Sequence, residues 1–145
     1  MKKVILVYGS TTGNTETLAE QVEDGLKSCG LDVTCKNVTD SSSEELQGYD
    51  GIILGCSTWG DGELQDDFVE FEKGMAGLNL AGKRAAVFGP GDSTYDKFCN
   101  AVDILEQRLK SCGAEIVADS FKVDGEVEPE LENIKNWAKE LGGTI

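Results

Sequence analysis

Three short segments carry the polar and aromatic residues that could do chemistry. The first is Gly9-Ser10-Thr11-Thr12-Gly13-Asn14-Thr15-Glu16. Its hydroxyls, its amide and the unsatisfied backbone N–H groups of a starting helix suit an anion held by neutral donors. The lysine of a Walker A loop is missing, and the spacing is not that of a dinucleotide turn. A phosphate here would be a handle rather than a group being transferred. A hydroxyl-rich helix cap is the plainer alternative. The second segment, Ser57-Thr58-Trp59-Gly60-Asp61-Gly62-Glu63, sets a large flat ring among flexible residues. A tryptophan folded back onto the core is the other reading. The third, Gly89-Pro90-Gly91-Asp92-Ser93-Thr94-Tyr95-Asp96-Lys97-Phe98, offers a second flat ring at Tyr95, or is a turn-rich connection.

Histidine is absent. That removes the usual serine and cysteine hydrolases and imidazole-ligated metal sites. The five cysteines form no C-x-x-C pair and read as reduced, mostly core thiols. With neither a base nor a metal set, a phosphate cradle and two aromatics point to a planar ring that carries the chemistry itself.

These segments must be placed by the elements between them. Lys3–Tyr8, Leu31–Val38, Gly51–Cys56, Arg84–Phe88 and Ala114–Val123 read as strands. Leu18, Val22, Leu26 and Cys29 mark one face of a helix that stops at Gly30. Leu64, Phe68, Phe71 and Met75 mark a second, and Val102, Leu105, Leu109 and Cys112 a third that stops at Gly113. Pro129 opens a fourth, faced by Leu131, Ile134, Ala138 and Leu141. Ser41–Glu45 has a capping-box pattern and reads as a single turn. The alternation implies an α/β fold with a parallel sheet between two helical layers, in one domain spanning 1–145. Ligands in such sheets sit beyond the carboxyl ends of the strands, where the three segments begin.

Composition agrees. The chain has 145 residues, 39% hydrophobic, and a formal net charge of −14. That balance argues against nucleic acid and against anionic membrane surfaces, and favours partners with basic surfaces. No apolar run approaches a membrane span or a signal-peptide core, so the cytoplasm is expected.

In order and spacing, GSTTGNTE, GCSTWGD, ELQDDF and FGPGDSTY resemble the flavodoxins, of the short-chain kind found in sulfate-reducing bacteria. The likeness runs from end to end. It implies a three-layer α-β-α sandwich whose five parallel strands lie in the order 2-1-3-4-5. It implies non-covalently bound FMN, with Ser10, Thr11, Thr12, Gly13, Asn14 and Thr15 around the phosphate and Ser57 and Thr58 near the ribityl chain. Trp59 and Tyr95 would cover the two ring faces. Asp92 and its neighbour Gly91 would meet the polar end of the ring, and the Gly60 carbonyl would turn toward N5. Asp61, Phe98 and Cys99 complete the implied site. Pro90, which lacks an N–H, Lys97 and a shortened stretch after Trp59 depart from the pattern.

The implied activity is low-potential, one-electron transfer, cycling mainly between the two reduced states. Reductases, cytochromes and ferredoxin-dependent enzymes are the implied partners of a monomer without substrate turnover of its own. Two other classes compete. An FMN quinone reductase would need a substrate pocket over the ring. A phosphorylated receiver domain would need an acidic cluster and an acceptor aspartate, and Tyr8-Gly9-Ser10 and Cys56-Ser57 supply neither.

Overall fold

Val4, Ile5, Leu6 and Val7 are all fully buried, as an unbroken apolar run requires when a strand is covered on both faces. The structure, a computed structural model, describes residues 2–9, 13–59, 63–64, 66–91 and 100–145, with the backbone alone at 58, 59, 63 and 66. In chain order the elements are β1 (Lys3–Gly9), α1 (Asn14–Lys27), β2 (Asp32–Asn37), β3 (Gly51–Cys56), β4 (Thr58–Trp59), β5 (Glu63–Leu64), α2 (Asp66–Gly74), β6 (Arg84–Gly91), α3 (Asn100–Ser111), β7 (Glu115–Ile116), β8 (Phe121–Asp124) and α4 (Leu131–Gly142). Short 3₁₀ turns occupy Val38–Asp40, Ser43–Gly48 and Glu128–Glu130.

The main sheet is parallel, in the order β2-β1-β3-β6, with β7 and β8 both paired to the far side of β6. Counted by long segments this is the expected 2-1-3-4-5 order. Alternate side chains feed two layers. Ile5, Val7, Ile52, Leu54 and Val87 meet Phe68 of α2, Met75 just past its end, and Val102, Leu105 and Leu109 of α3. Val4, Leu6, Ile53, Ala86 and Phe88 meet Leu18, Val22 and Leu26 of α1 and Ile134, Ala138 and Leu141 of α4.

Four local differences from the sequence reading have physical causes. The expected strand Ala114–Val123 is two pieces, because the Asp119 carbonyl leaves the ladder to accept the Trp137 indole N–H at 3.0 Å. The strand expected to stop at Phe88 runs on to Gly91. Odd-numbered residues of β6 turn their carbonyls toward β7 and β8, as Ala85 to Val117 N and Gly91 to Gly125 N show. The N–H that Pro90 lacks would therefore point at β3, toward the carbonyl of its last residue, Cys56, and the β3–β6 pairing stops at Gly55↔Phe88. Leu64 lies in β5 rather than opening α2. The capping-box pattern forms only in part: Ser42 caps its turn without a side-chain bond, while the Glu45 carboxylate accepts from Ser41 Oγ and Lys36 Nζ, each at 3.1 Å.

Candidate cofactor site

The registers Gly9↔Cys56 and Gly55↔Phe88 align the ends of β1, β3 and β6 along one edge of the sheet. β2 and β3 lie on opposite sides of β1, so this edge contains the reversal of strand order, where a crevice opens between diverging connections.

The end of β1 leads into α1. Gly13 caps that helix at φ 90°, ψ −10°, a left-handed conformation that a side chain would strain. Its carbonyl accepts both the Thr17 N–H at 3.0 Å and the Thr17 hydroxyl at 2.9 Å. Asn14 is exposed at the helix start. Thr15 is only 1% exposed, and its Oγ1 has no hydrogen-bond partner. A buried hydroxyl left unpaired costs about 1–3 kcal/mol. A ligand oxygen at the positive end of the helix would satisfy it. The helix-cap alternative does not account for this residue: the cap position belongs to a glycine, and Thr15 lies one step inside the helix. Its hydroxyl and the first-turn N–H groups are donors suited to a phosphate monoester. The residues present therefore fit the phosphate of FMN.

Tyr8, which the sequence reading used only as the last residue of a strand, lies just below this segment. Burial, then the charges of Glu16 and its neighbours, push its phenol pKa upward, so it stays neutral. Cys35, half-buried on β2, is pushed up to about 12, by burial first and then by Glu23. Its thiol is protonated at neutral pH. Cys56 and Cys112 are buried and Cys29 is exposed, and none of the three is in a disulfide.

The end of β3 leads into a small antiparallel hairpin, with Thr58 opposite Leu64 and Trp59 opposite Glu63. Ser57 is half-buried between β3 and β4, and its carbonyl accepts the Cys56 thiol at 3.2 Å. The sequence pattern suggested a loop here; two residues on each side pair instead. The end of β6 places Gly91 opposite Asp124, next to the third segment. The structure thus brings Gly13, Asn14, Thr15, Ser57, Thr58, Trp59 and Gly91 to one edge. Ser10, Thr11, Thr12, Gly60, Asp61, Asp92, Tyr95, Phe98 and Cys99, like Lys97, lie outside the described residues.

Sequence reading also missed Gly55 and Gly89. A Cβ on Gly55 would lie 2.2 Å from the Phe88 ring, and one on Gly89 would lie 2.1 Å from the Cys56 carbonyl oxygen. The available signal was a glycine inside an apolar strand, which marks a close approach.

Comparison with known proteins gives one answer at three levels. The flavodoxin family model matches residues 6–137. A flavodoxin of Maridesulfovibrio salexigens is 47% identical over 148 residues, taking in 100% of both chains. One of Nitratidesulfovibrio vulgaris is 44% identical over 141 residues, 95% of each. Among solved structures, oxidised Flavodoxin 1 of Bacillus cereus superposes with a TM-score of 0.94 at 36% identity, over 99% of each chain. A Fusobacterium nucleatum flavodoxin bound to flavin mononucleotide has the same fold, with a TM-score of 0.86 at 20% identity over 100% of this chain and 99% of that one.

Proposed function

This chain belongs to the flavodoxin family, and from that premise we propose that residues 1–145 form one FMN-binding domain that passes single electrons between other proteins. The observation that carries this reading is the unpartnered Thr15 hydroxyl, buried in the first turn of α1 at the reversal of strand order. When bound, FMN supplies a ring that accepts and releases electrons one at a time.

The chain's residues do the rest. Ser10, Thr11, Thr12, Gly13, Asn14 and Thr15 hold the phosphate with neutral donors. Ser57 and Thr58 position the ribityl chain. Trp59 and Tyr95 cover the ring faces and exclude water. Asp61, Gly91, Asp92, Phe98 and Cys99 line the remaining wall. The Gly60 carbonyl accepts a hydrogen bond at the flavin N5, so a proton taken up there is held; glycine lets that peptide rotate without a Cβ clash. Asp61, Glu63, Asp66, Asp67, Asp92 and Asp96 together oppose added negative charge, which makes the last reduction step a low-potential one.

The same acidic surface favours brief encounters with reductases, cytochromes and ferredoxin-dependent enzymes that present basic patches. We assign the protein to the cytoplasm as a monomer. No helix among the described residues is long and apolar enough to cross a membrane.

An anaerobic reductive titration followed by visible absorption tests the reading. The expected result is a yellow protein reduced in two separated one-electron steps, with no quinone turnover from NAD(P)H. A chain that takes up no FMN, or one reduced in a single two-electron step, overturns it.

A further inference from the structure

Ile145 is only 6% exposed, although α4 ends at Gly142 and both Gly143 and Thr144 are exposed. An apolar side chain beyond a helix end is buried only where something receives it. What receives it is a gap at Gly51, the first residue of β3. A Cβ built on Gly51 would stand 3.0 Å from Ile145 Cγ2, 3.3 Å from Ile145 Cδ1 and 3.1 Å from Val4 Cγ2. Val4 is the partner of Gly51 on β1. Ile145 thus turns back and takes the place of a missing side chain, in the layer shared with α1 and α4.

The main chain around it is fastened as well. The N–H groups of Thr144 and Ile145 donate to the Leu141 carbonyl at 2.9 and 3.2 Å, and the Thr144 hydroxyl donates to the same oxygen at 2.8 Å. Lys2 Nζ, just ahead of β1, donates to the main-chain oxygen of Ile145. The guanidinium of Arg84, the first residue of β6, donates to the Thr144 carbonyl. Charged donors make the stronger hydrogen bonds, and cations past a helix end answer its negative pole. One short segment therefore ties α4 to β1, β3 and β6, at the edge of the sheet opposite the cofactor site. Lys2 and Arg84 are both exposed, so these ties can break while the centre of the sheet stays packed.

We propose that Thr144 and Ile145 form a clasp at the amino edge of the sheet, closed by Lys2, Arg84 and the gap at Gly51. Its opening is a local event. It frees the last turn of α4 and uncovers the amino ends of β1 and β3, while the cofactor edge stays folded. The seven residues of β1 keep the two edges about 20 Å apart. The inference does not depend on what the cofactor edge binds.

Hydrogen exchange in the full-length chain tests this. In Ile145→Ala the amides of Thr144 and Ile145 should exchange at least about tenfold faster than in wild type, because a buried side chain is cut away. So should those of Asp32 and Asp50, which donate to the Lys2 and Lys3 carbonyls. The amides of Thr17 and Gly125, bonded to Gly13 and Gly91 at the cofactor edge, should keep their wild-type rates. Lys2→Met and Arg84→Met should each quicken the residue 145 amide by about three- to tenfold, the worth of one exposed charge-assisted bond. Gly51→Ala should lower the urea midpoint less than half as far in Ile145→Ala as in wild type, the Val4 contact being common to both.

Unchanged exchange at residues 144 and 145 in Ile145→Ala overturns the proposal. Quickening by the same factor at Thr17 and Gly125 does so too, since Ile145 would then be an ordinary core residue. Equal midpoint shifts for Gly51→Ala in the two backgrounds would mean that Ile145 does not occupy the gap. Should Ile145→Ala not fold, Ile145→Val is measured in its place. Failure of that variant to fold also overturns the proposal, because a clasp that opens by itself is not required for folding.

Discussion

Thr15 holds a hydroxyl in the protein interior with nothing to bond. Thr15→Val keeps the shape and removes the oxygen, so its effects on the free chain and on the complex have opposite signs. The flavin-free protein should become no less stable, and up to about 1 kcal/mol more stable, in urea denaturation, because an unpaired polar group is deleted. FMN affinity should fall about 10- to 100-fold, the worth of a hydrogen bond to a charged group. Riboflavin affinity should stay level, since that ligand has no phosphate. An equal fall for both ligands would remove Thr15 from the phosphate site.

Between elements, the contact of α1 with α4 depends on Gly25. A Cβ there would lie 2.7 Å from Ala138 Cβ and 2.7 Å from the Lys135 carbonyl oxygen. Helix propensity favours Gly25→Ala by about 1 kcal/mol. Overpacking against a neighbouring backbone costs about 1–3 kcal/mol. The clash should win, and the urea midpoint should fall; a rise would mean that α4 moves aside freely. The link from β2 to the Ser43–Gly48 turn has an electrostatic counterpart. The Lys36 ammonium, the Ser41 hydroxyl and the Ser42 N–H hold the Glu45 carboxyl below its usual range, against a smaller opposing effect of desolvation. A depressed acid contributes stability above its unfolded value of about 4.3 and loses it as pH falls through the lower folded value. Glu45→Gln should therefore be the less stable at pH 7, and its deficit should shrink and then vanish as the pH falls through the lowered folded value. Both partners are about a third exposed, so the deficit will be small. A difference independent of pH would make the contact one of shape, not charge.

Over the whole molecule, the formal charge of −14 leaves an excess of carboxylates that no arrangement of ion pairs can neutralise. The described pairs, such as Arg108–Glu72 at 2.8 Å and Lys122–Asp103 at 2.9 Å, join different elements but leave this excess in place. Self-repulsion should weaken the fold at low ionic strength. The melting temperature of the flavin-free protein should rise as sodium chloride goes from about 0.01 to 0.5 M. Electron transfer to a basic partner should slow over the same range. A flat melting curve would show that the surface carboxylates lie too far apart to repel.

Much of the architecture was legible along the chain because it is decided by near neighbours. Unbroken apolar runs rich in β-branched residues, at Val4–Val7 and Ile52–Leu54, read as strands buried on both faces. Gly30 and Gly113, where helices were expected to stop, have φ of 82° and 96°. The three segments that follow Tyr8, Cys56 and Phe88 were legible as a site, since a strand ending in glycines and hydroxyls marks a sheet edge. What the chain could not announce depends on register across strands and on contacts between layers. Only the fold decides that the Asp119 carbonyl breaks a strand to reach Trp137, and that the N–H missing from Pro90 falls opposite the last residue of β3. The orphaned Thr15 hydroxyl and the Cys56 carbonyl resting on Gly89 are contacts of the same kind. Local pattern sets which way a side chain faces; what it meets there is set by residues distant in sequence.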